Sequence, residues 1–201
     1  FGAKVLDTLI IEGLSINQPR VVRGTAGLPT GREFTTADIQ SALRDLYRLG
    51  LFRSIDFYVA AETDSAVSLL LKLEEYPICE AIEFEGNKKI KNRQLEEEIT
   101  LQRGQIATDE LLFDNVKRLT ELYEEEGYLL ADIEPKPVET KVPGNAIVKF
   151  VINEGEKVRV KEITFNGNEA FKDRKLARKF KTKEKRLWRS GEYDEEDYRR
   201  H

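Results

Sequence analysis

Three segments of the chain alternate apolar and polar residues and then reach a glycine. They read LDTLIIEG ending at Gly13, CEAIEFEG ending at Gly86 and VKEITFNG ending at Gly167, with spacings of 73 and 81 residues. Alternation with a period of two predicts a β-strand that buries one face. Because the same pattern returns at similar spacing, we predict that the chain contains copies of one structural unit.

Two amphipathic helical patterns follow each of the first two strand segments. The second helix of each copy has apolar residues at helical spacing, namely Ile39, Leu43 and Leu46 in the first copy and Leu112, Val116, Leu119 and Leu122 in the second. Thr35 or Thr36 and Thr108 are suitable N-caps. Gly50 and Gly127 are suitable left-handed residues just beyond the helices. Each copy therefore places a helical pair after its first strand.

Two further alternating segments, joined by a polar turn, close each of the first two copies. We therefore predict an α+β fold of tandem β-α-α-β-β units, each a three-stranded sheet covered on one face by two antiparallel helices. Residues 1–76 form the first unit and 77–156 the second. Residues 157–201 form a partial third unit that has only its first strand and helices. Seven-residue connections between units predict restricted hinges.

The strand order follows from the connections and from proline. A right-handed crossover lets the first strand pair with the third, and the hairpin joins the third to the second, which gives the order 1-3-2. Pro135 and Pro137 fall in the second strand of the second unit, and proline is confined to edge strands or strand ends. The equivalent strand of the first unit has no proline. We predict that its free edge binds extended peptides by strand addition, at Ser54, Ile55, Asp56, Phe57, Tyr58 and Val59.

Charge is unevenly distributed along the 201 residues. The net charge is −4, but the stretch from Lys172 to Arg189 holds ten basic and two acidic residues, and the rest of the chain carries −12. The residues that could contact an acidic partner or an anionic surface are Lys172, Arg178, Lys181, Arg186, Trp188 and Arg189. A solvated helix face with a linker explains the same run, and nucleic-acid binding is the third interpretation.

No residue pattern indicates catalysis, and we predict neither a metal nor a cofactor. The only histidine is His201, the last residue. The acidic triplets Glu96–Glu98 and Glu124–Glu126 fit solvated helix faces, since adjacent helical residues point about 100° apart. The glycine-rich stretch 24–31 lacks the Gly-Lys-Ser/Thr ending of a phosphate loop. Cys79 has no second cysteine to pair with and fits a small packing residue.

The order of several short motifs resembles the polypeptide-transport-associated (POTRA) domains of the outer-membrane protein assembly factor BamA family. The motifs are Gly50-Leu51-Phe52, Glu85-Gly86-Asn87, Leu122-Tyr123 with Gly127-Tyr128, Asn153-Glu154-Gly155 and Asn166-Gly167-Asn168. Each motif alone is common, so the resemblance depends on their order and spacing over nearly the whole chain.

This resemblance implies a non-enzymatic scaffold on the periplasmic face of the bacterial outer membrane. It implies three kinds of partner: unfolded outer-membrane proteins, accessory lipoproteins, and a membrane barrel later in the same chain. No nucleic acid is expected, and the partial third unit could associate with a second copy of the chain. The alternatives are an equivalent array from another export or secretion machine, and a nucleic-acid-binding protein that uses residues 172–189.

Overall fold

The computed structural model describes residues 4–159 and Gly167 of the chain. In chain order the elements are β1 (Lys4–Glu12), α1 (Pro19–Ala26), β2 (Glu33–Phe34), α2 (Thr36–Arg48), β3 (Phe52–Glu62), β4 (Ala66–Glu75), β5 (Ile78–Glu85), α3 (Asn92–Glu98), α4 (Asp109–Glu125), β6 (Asp132–Glu139) and β7 (Asn145–Asn153). This confirms an α+β fold with two successive β-α-α-β-β repeats. The predicted third unit, apart from residues 157–159 and Gly167, lies outside the described residues.

The two sheets have the orders β2-β1-β4-β3 and β5-β7-β6. Leaving β2 aside, both have the predicted order 1-3-2, with β1 parallel to β4 and β3 antiparallel to β4. The strand β2 was not predicted. It is only two residues long and pairs with Lys4 and Val5 on the outer side of β1, so it carries no alternation that a sequence pattern could reveal.

Three helices begin at residues suited to the first turn, where backbone N–H groups have no partner within the helix. Pro19 is the first residue of α1, where its missing N–H costs no hydrogen bond. Thr35 caps α2 in a capping box, since its N–H donates to Asp38 Oδ2 at 2.7 Å and Asp38 N–H donates to Thr35 Oγ1 at 3.4 Å. Thr108 Oγ1 accepts the N–H of Leu111 at 3.2 Å at the start of α4. The predicted N-cap at Thr35 is therefore confirmed.

One face of each central strand is buried. In β4 the buried residues are Val67, Leu69, Leu71 and Leu73, and in β7 they are Ala146, Val148, Phe150 and Ile152. The residues between them are half-buried or exposed. In the first repeat the buried face joins Val22 and Ala26 of α1 and Ala42 and Leu46 of α2 in one apolar core. The helices therefore cover a single face of this sheet.

The glycine that follows the first strand has the same structural role in both repeats. A Cβ on Gly13 would lie 1.8 Å from the carbonyl oxygen of Leu73, and a Cβ on Gly86 would lie 2.1 Å from that of Ile152. Both glycines also have positive φ, at +90° and +93°, a region that other residues rarely enter. The recurring glycines thus mark equivalent positions, where the chain passes against the end of the central strand.

A glutamate at the end of each central strand binds the loop that follows this glycine. Glu75 accepts the backbone N–H groups of Ser15, Ile16 and Asn17, and Glu154 accepts those of Lys88, Lys89 and Ile90. These loops lie before α1 and α3, and hydrogen bonds to an ionised carboxylate are stronger than bonds between neutral groups. This shared arrangement gives independent support for the internal repeat.

The described chain forms two compact units that do not coincide with the repeats. The first contains residues 4–83 together with Thr100–Asn115 and Pro135–Phe150. The second contains Phe84–Ile99, Val116–Glu134 and the described residues from Val151 onwards. The second repeat therefore contributes residues to both units.

Candidate functional site

The predicted peptide-binding strand lies at the edge of the first sheet. Within the described residues β3 pairs only with β4, over the register from Phe52 opposite Glu75 to Glu62 opposite Val67. The register shifts between Phe52 and Ser54 and again between Val59 and Ala61. Such irregularities bend a strand and increase its twist. The regular stretch between the two shifts is residues 54–59. These are the six residues that the sequence analysis names as the peptide-binding edge.

Backbone hydrogen bonds at the two ends of the β3–β4 pair identify the groups that face away from the sheet. Thr63 N–H donates to the oxygen of Ala66 at 2.8 Å, and Tyr76 N–H donates to the oxygen of Leu51 at 2.9 Å. In antiparallel pairs, residues that bond to the partner strand alternate with residues whose N–H and C=O point outward. Both bonds involve even-numbered residues of the β4 side, and the two register shifts insert their extra residues in β3, so the count is made along β4. Its residues Leu70, Lys72 and Glu74 lie opposite Tyr58, Asp56 and Ser54, which therefore face inward. The outward groups belong to Ile55, Phe57 and Val59.

The side chains of β3 change from buried to exposed along the strand. Ile55 is buried and Phe57 half-buried, whereas Tyr58 and Val59 are 51% and 47% exposed. Val59 has the same parity as Ile55 and Phe57, whose side chains face the core, so the alternation predicts that Val59 is buried too. Its exposure departs from this prediction. It lies next to a cavity, where no side chain of the described residues fills the space above the sheet.

An apolar niche of about 230 Å³ lies beside the free edge of β3. Its lining residues are Phe34, Thr36, Ile39, Phe57, Tyr58, Val59, Val67 and Leu69. Because opposite residues of paired strands point to the same face, an added strand would direct the side chains opposite Phe57 and Val59 towards the helices. These side chains would therefore project towards the niche.

Sequence reasoning missed the helical wall of the niche. Phe34 and Ile39 occupy the positions immediately before the N-cap and four residues after it, which is the spacing of a hydrophobic staple. That spacing was the available signal for their proximity. It did not reveal the niche, because an unfilled volume depends on how far α2 extends over β3.

Ion pairs lie at both ends of the edge strand. Near its end, Lys4 Nζ donates to Glu62 Oε1 at 2.5 Å and to the backbone oxygen of Thr63 at 3.1 Å. Near its start, Arg53 contacts Glu74 and Asp109. Burial opposes the charge of Arg53, but both carboxylates favour it and together raise its pKa. Between these ion pairs the edge carries Ile55, Phe57 and Val59 on one face and Ser54, Asp56 and Tyr58 on the other.

The edge of the second sheet has different chemistry. Strand β6 occupies it, as predicted, and carries Pro135 and Pro137. Thr140 N–H donates inward to the oxygen of Asn145 at 3.0 Å, so odd-numbered positions of β6, including both prolines, face outward. Two outward positions without an N–H make this edge a poor acceptor of another strand.

The other sequence predictions concern chemistry away from β3. The basic residues Lys172, Arg178, Lys181, Arg186, Trp188 and Arg189 lie outside the described residues. Cys79 is fully buried, and burial raises the pKa of its thiol. Among residues 4–159 there is no cluster of three or more histidine, cysteine or acidic residues that could hold a metal ion. None of the described helices is both long enough and apolar enough to span a membrane.

Comparison with known proteins places this geometry in a family. A family model described as POTRA, surface antigen variable number repeat, matches residues 77–155 and 158–200, together more than half of the chain. These matches fall on the second and third predicted units. The first repeat shares the strand order, the glycine contact and the glutamate-bound loop of the second.

Individual relatives agree with the family match. Outer membrane protein assembly factor BamA from Neisseria meningitidis serogroup B is 28% identical over 196 residues, covering 94% of this chain and 24% of that protein. The chain thus spans about a quarter of the length of that relative.

Two solved structures share the fold. The N-terminal domain of Omp85 from Thermosynechococcus elongatus has a TM-score of 0.52 at 18% identity, covering 98% of this chain and 83% of that one. POTRA1-2 of the periplasmic domain of Omp85 from Anabaena has a TM-score of 0.50 at 20% identity, covering 76% and 96% respectively. With its repeated sheets and the family match over residues 77–155 and 158–200, the chain belongs to the POTRA family.

Proposed function

We propose that this chain is a periplasmic module of outer-membrane protein assembly that binds extended segments of unfolded client proteins at β3. The observation that carries the proposal is the unpaired edge of β3 beside an apolar niche. The assembly-factor relative and the periplasmic Omp85 domains support the setting. In that setting the further partners are accessory lipoproteins and a membrane barrel in the same polypeptide. The role is non-enzymatic.

The binding mechanism is addition of a fourth principal strand to the first sheet. Outward N–H and C=O groups of Ile55, Phe57 and Val59 would bond to the backbone of the client, which is the same for every sequence. The niche adds a preference for segments whose alternate residues are apolar, because their side chains would point towards Val67 and Leu69. Strands of membrane barrels alternate in this way.

The expected affinity is weak. Four backbone bonds contribute roughly 4 kcal/mol in total at a net ~1 kcal/mol each. Burial of one large apolar side chain in the niche adds about 2 kcal/mol. Association costs at least ~4 kcal/mol, which leaves at most roughly 2 kcal/mol and a dissociation constant of about 30 mM or weaker. A weak, backbone-based contact suits a module that must release its client.

A peptide titration followed by amide shifts in NMR spectra tests this proposal. The peptide alternates apolar and polar residues, and a scrambled peptide of equal composition is the comparison. We expect shifts at β3 and at the start of α2 with the alternating peptide. Shifts confined to residues outside β3 and α2, or equal responses to both peptides, would refute the proposed mechanism.

A matched pair of proline variants identifies the edge. Val59→Pro removes an outward N–H on β3 and should abolish the titration response. Glu139→Pro is the control, since Glu139 is an exposed outward position on β6, with the same parity as Pro135 and Pro137. It should leave binding unchanged. Unchanged binding in Val59→Pro, with the fold retained in its NMR spectrum, would exclude β3 as the edge that binds.

A further inference from the structure

Arg53 joins the start of β3 to the first turn of α4. It lies where the β3–β4 register shifts, and a bulge of this kind redirects a side chain. Arg53 Nη1 donates to Glu74 Oε1 at 3.2 Å, and Nη2 donates to Asp109 Oδ1 at 2.9 Å. Asp109 is the first residue of α4, where negative charge is favoured. Arg53 thus links a strand of the first repeat to a helix of the second.

Tyr76, in the connection between the repeats, completes this group. Its ring centroid lies 5.5 Å from the guanidinium carbon of Arg53, and its hydroxyl donates to Asp109 Oδ2 at 3.3 Å. A guanidinium over an aromatic face at this distance is attracted by the ring. We call Arg53, Glu74, Tyr76 and Asp109 the Arg53 cluster. All four residues belong to the first compact unit.

The backbone on either side of Tyr76 is fixed to both repeats. Tyr76 N–H donates to the oxygen of Leu51 at 2.9 Å, whereas Ala107 N–H donates to the oxygen of Pro77 at 2.8 Å. The connecting residues therefore have hydrogen bonds in both directions. They do not have the properties of a flexible tether.

A second contact joins the same two repeats at a different place. A Cβ built on Gly144, in the turn between β6 and β7, would lie 2.3 Å from Cγ1 of Ile16 in the loop after β1. Within the second repeat, the oxygen of Gly144 accepts the N–H of Ile78 at 2.9 Å. Two separate contact points resist rotation about a connection better than one does.

We propose that the Arg53 cluster is a salt-sensitive latch that holds α4 against the start of β3 and so fixes the connection between the first two repeats. Its charged side chains are partly exposed, so dissolved ions weaken the attraction between them. Raising the ionic strength releases the latch and leaves the connection to the backbone hydrogen bonds around Tyr76 and to the Ile16–Gly144 contact. This inference is independent of peptide binding at β3.

Distance measurements between spin labels test the latch in the full 201-residue chain. The labels replace exposed residues of α2 and α4, Arg44 and Asp114, and Cys79→Ala removes the native thiol. At low salt we expect one narrow distance distribution. At about 0.5 M salt the screening length falls to a few ångströms, so we expect the distribution to broaden. Arg53→Gln should be broad at both salt concentrations, because it has no charge for the ions to screen.

Controls separate the latch from general loss of structure. Arg48→Gln removes an ion pair with Asp45 on the surface of α2 and should behave as the wild type at both salt concentrations. Tyr76→Phe keeps the ring over Arg53 but loses the hydroxyl, so its distribution should have intermediate width. Should Arg53→Gln fail to fold, Tyr76→Phe and the salt response of the wild type still decide the question. A wild-type distribution that is equally narrow at both salt concentrations would overturn the proposal, as would a narrow distribution in Arg53→Gln.

Discussion

Replacement of Glu154 tests the physical basis of the repeated fold most directly. Its side chain is only 8% exposed, and Oε1 accepts Lys88 N–H at 2.8 Å, Lys89 N–H at 2.7 Å and the hydroxyl of Tyr123 at 3.1 Å. Tyr123 is fully buried. Glu154→Ala would leave all these donors without their acceptor.

The magnitude follows from counting those donors. The buried hydroxyl of Tyr123 should cost about 2 kcal/mol once unsatisfied, and the two partly buried N–H groups about 1 kcal/mol each. Glu154→Ala should therefore lower the free energy of unfolding by about 4 kcal/mol. Glu154→Gln keeps an acceptor oxygen but loses the charge, which roughly halves the bond strength, so we expect a loss of about 2 kcal/mol.

Urea unfolding followed by circular dichroism measures these losses, and hydrogen exchange locates them. The amides of Lys88 and Lys89 should lose protection in both variants. Glu156→Ala is the matched control, since Glu156 is an exposed glutamate two residues further along the chain. If Glu154→Ala and Glu156→Ala unfold at the same urea concentration, the carboxylate does not stabilise the loop and the reasoning is wrong.

The same carboxylate predicts a dependence on pH. Burial alone would raise the pKa of Glu154, but hydrogen bonds from Lys89, Lys88, Tyr123 and Ile90 outweigh it and lower the pKa below the usual 4.5. A depressed pKa in the folded state means that the stabilisation is present above the unfolded value and is lost as pH falls through the folded one. Below pH 4.5 the wild type should lose more stability than Glu154→Gln, which has no carboxyl group to protonate at this position.

Other substitutions follow from the turns and caps. Gly86→Ala should destabilise the fold by more than Gly104→Ala in urea unfolding, because both residues have positive φ but only Gly86 has a backbone oxygen in the way, at 2.1 Å; equal losses would contradict the steric argument. Glu75→Ala should cost less than Glu154→Ala, because the carboxylate of Glu75 binds exposed and partly buried donors. Thr35→Ala should cost about 1 kcal/mol through loss of the N-cap, whereas Thr35→Ser, which keeps the hydroxyl, should melt within a degree or so of the wild type.

The strand order could be deduced from sequence because each step depends on local patterns. Alternation marks the strands, the hairpin turns join neighbours, and Pro135 with Pro137 assigns an edge. These signals can be read from sequence because side chains repeat every two residues along a strand and every 3.6 along a helix. The free edge at residues 54–59 could be named for the same reason.

The niche and the Arg53 cluster could not be deduced in this way. Arg53 and Asp109 are 56 residues apart in sequence, and their contact depends on the bulge at the start of β3 and the path of the chain through Tyr76. Similarly, Val59 has the alternation of a core residue, yet it is exposed because no side chain fills the space beside it.

By itself, the sequence determined the repeat, the types and order of its principal elements and the strand without proline at its edge, because these depend on periodicity and on the backbone chemistry of glycine and proline. Only the tertiary structure decided which outward groups of β3 are free, that an apolar niche of about 230 Å³ adjoins them, and that Glu75 and Glu154 bind equivalent loops. Those features depend on distances between residues far apart in the chain, and such distances follow from packing in three dimensions.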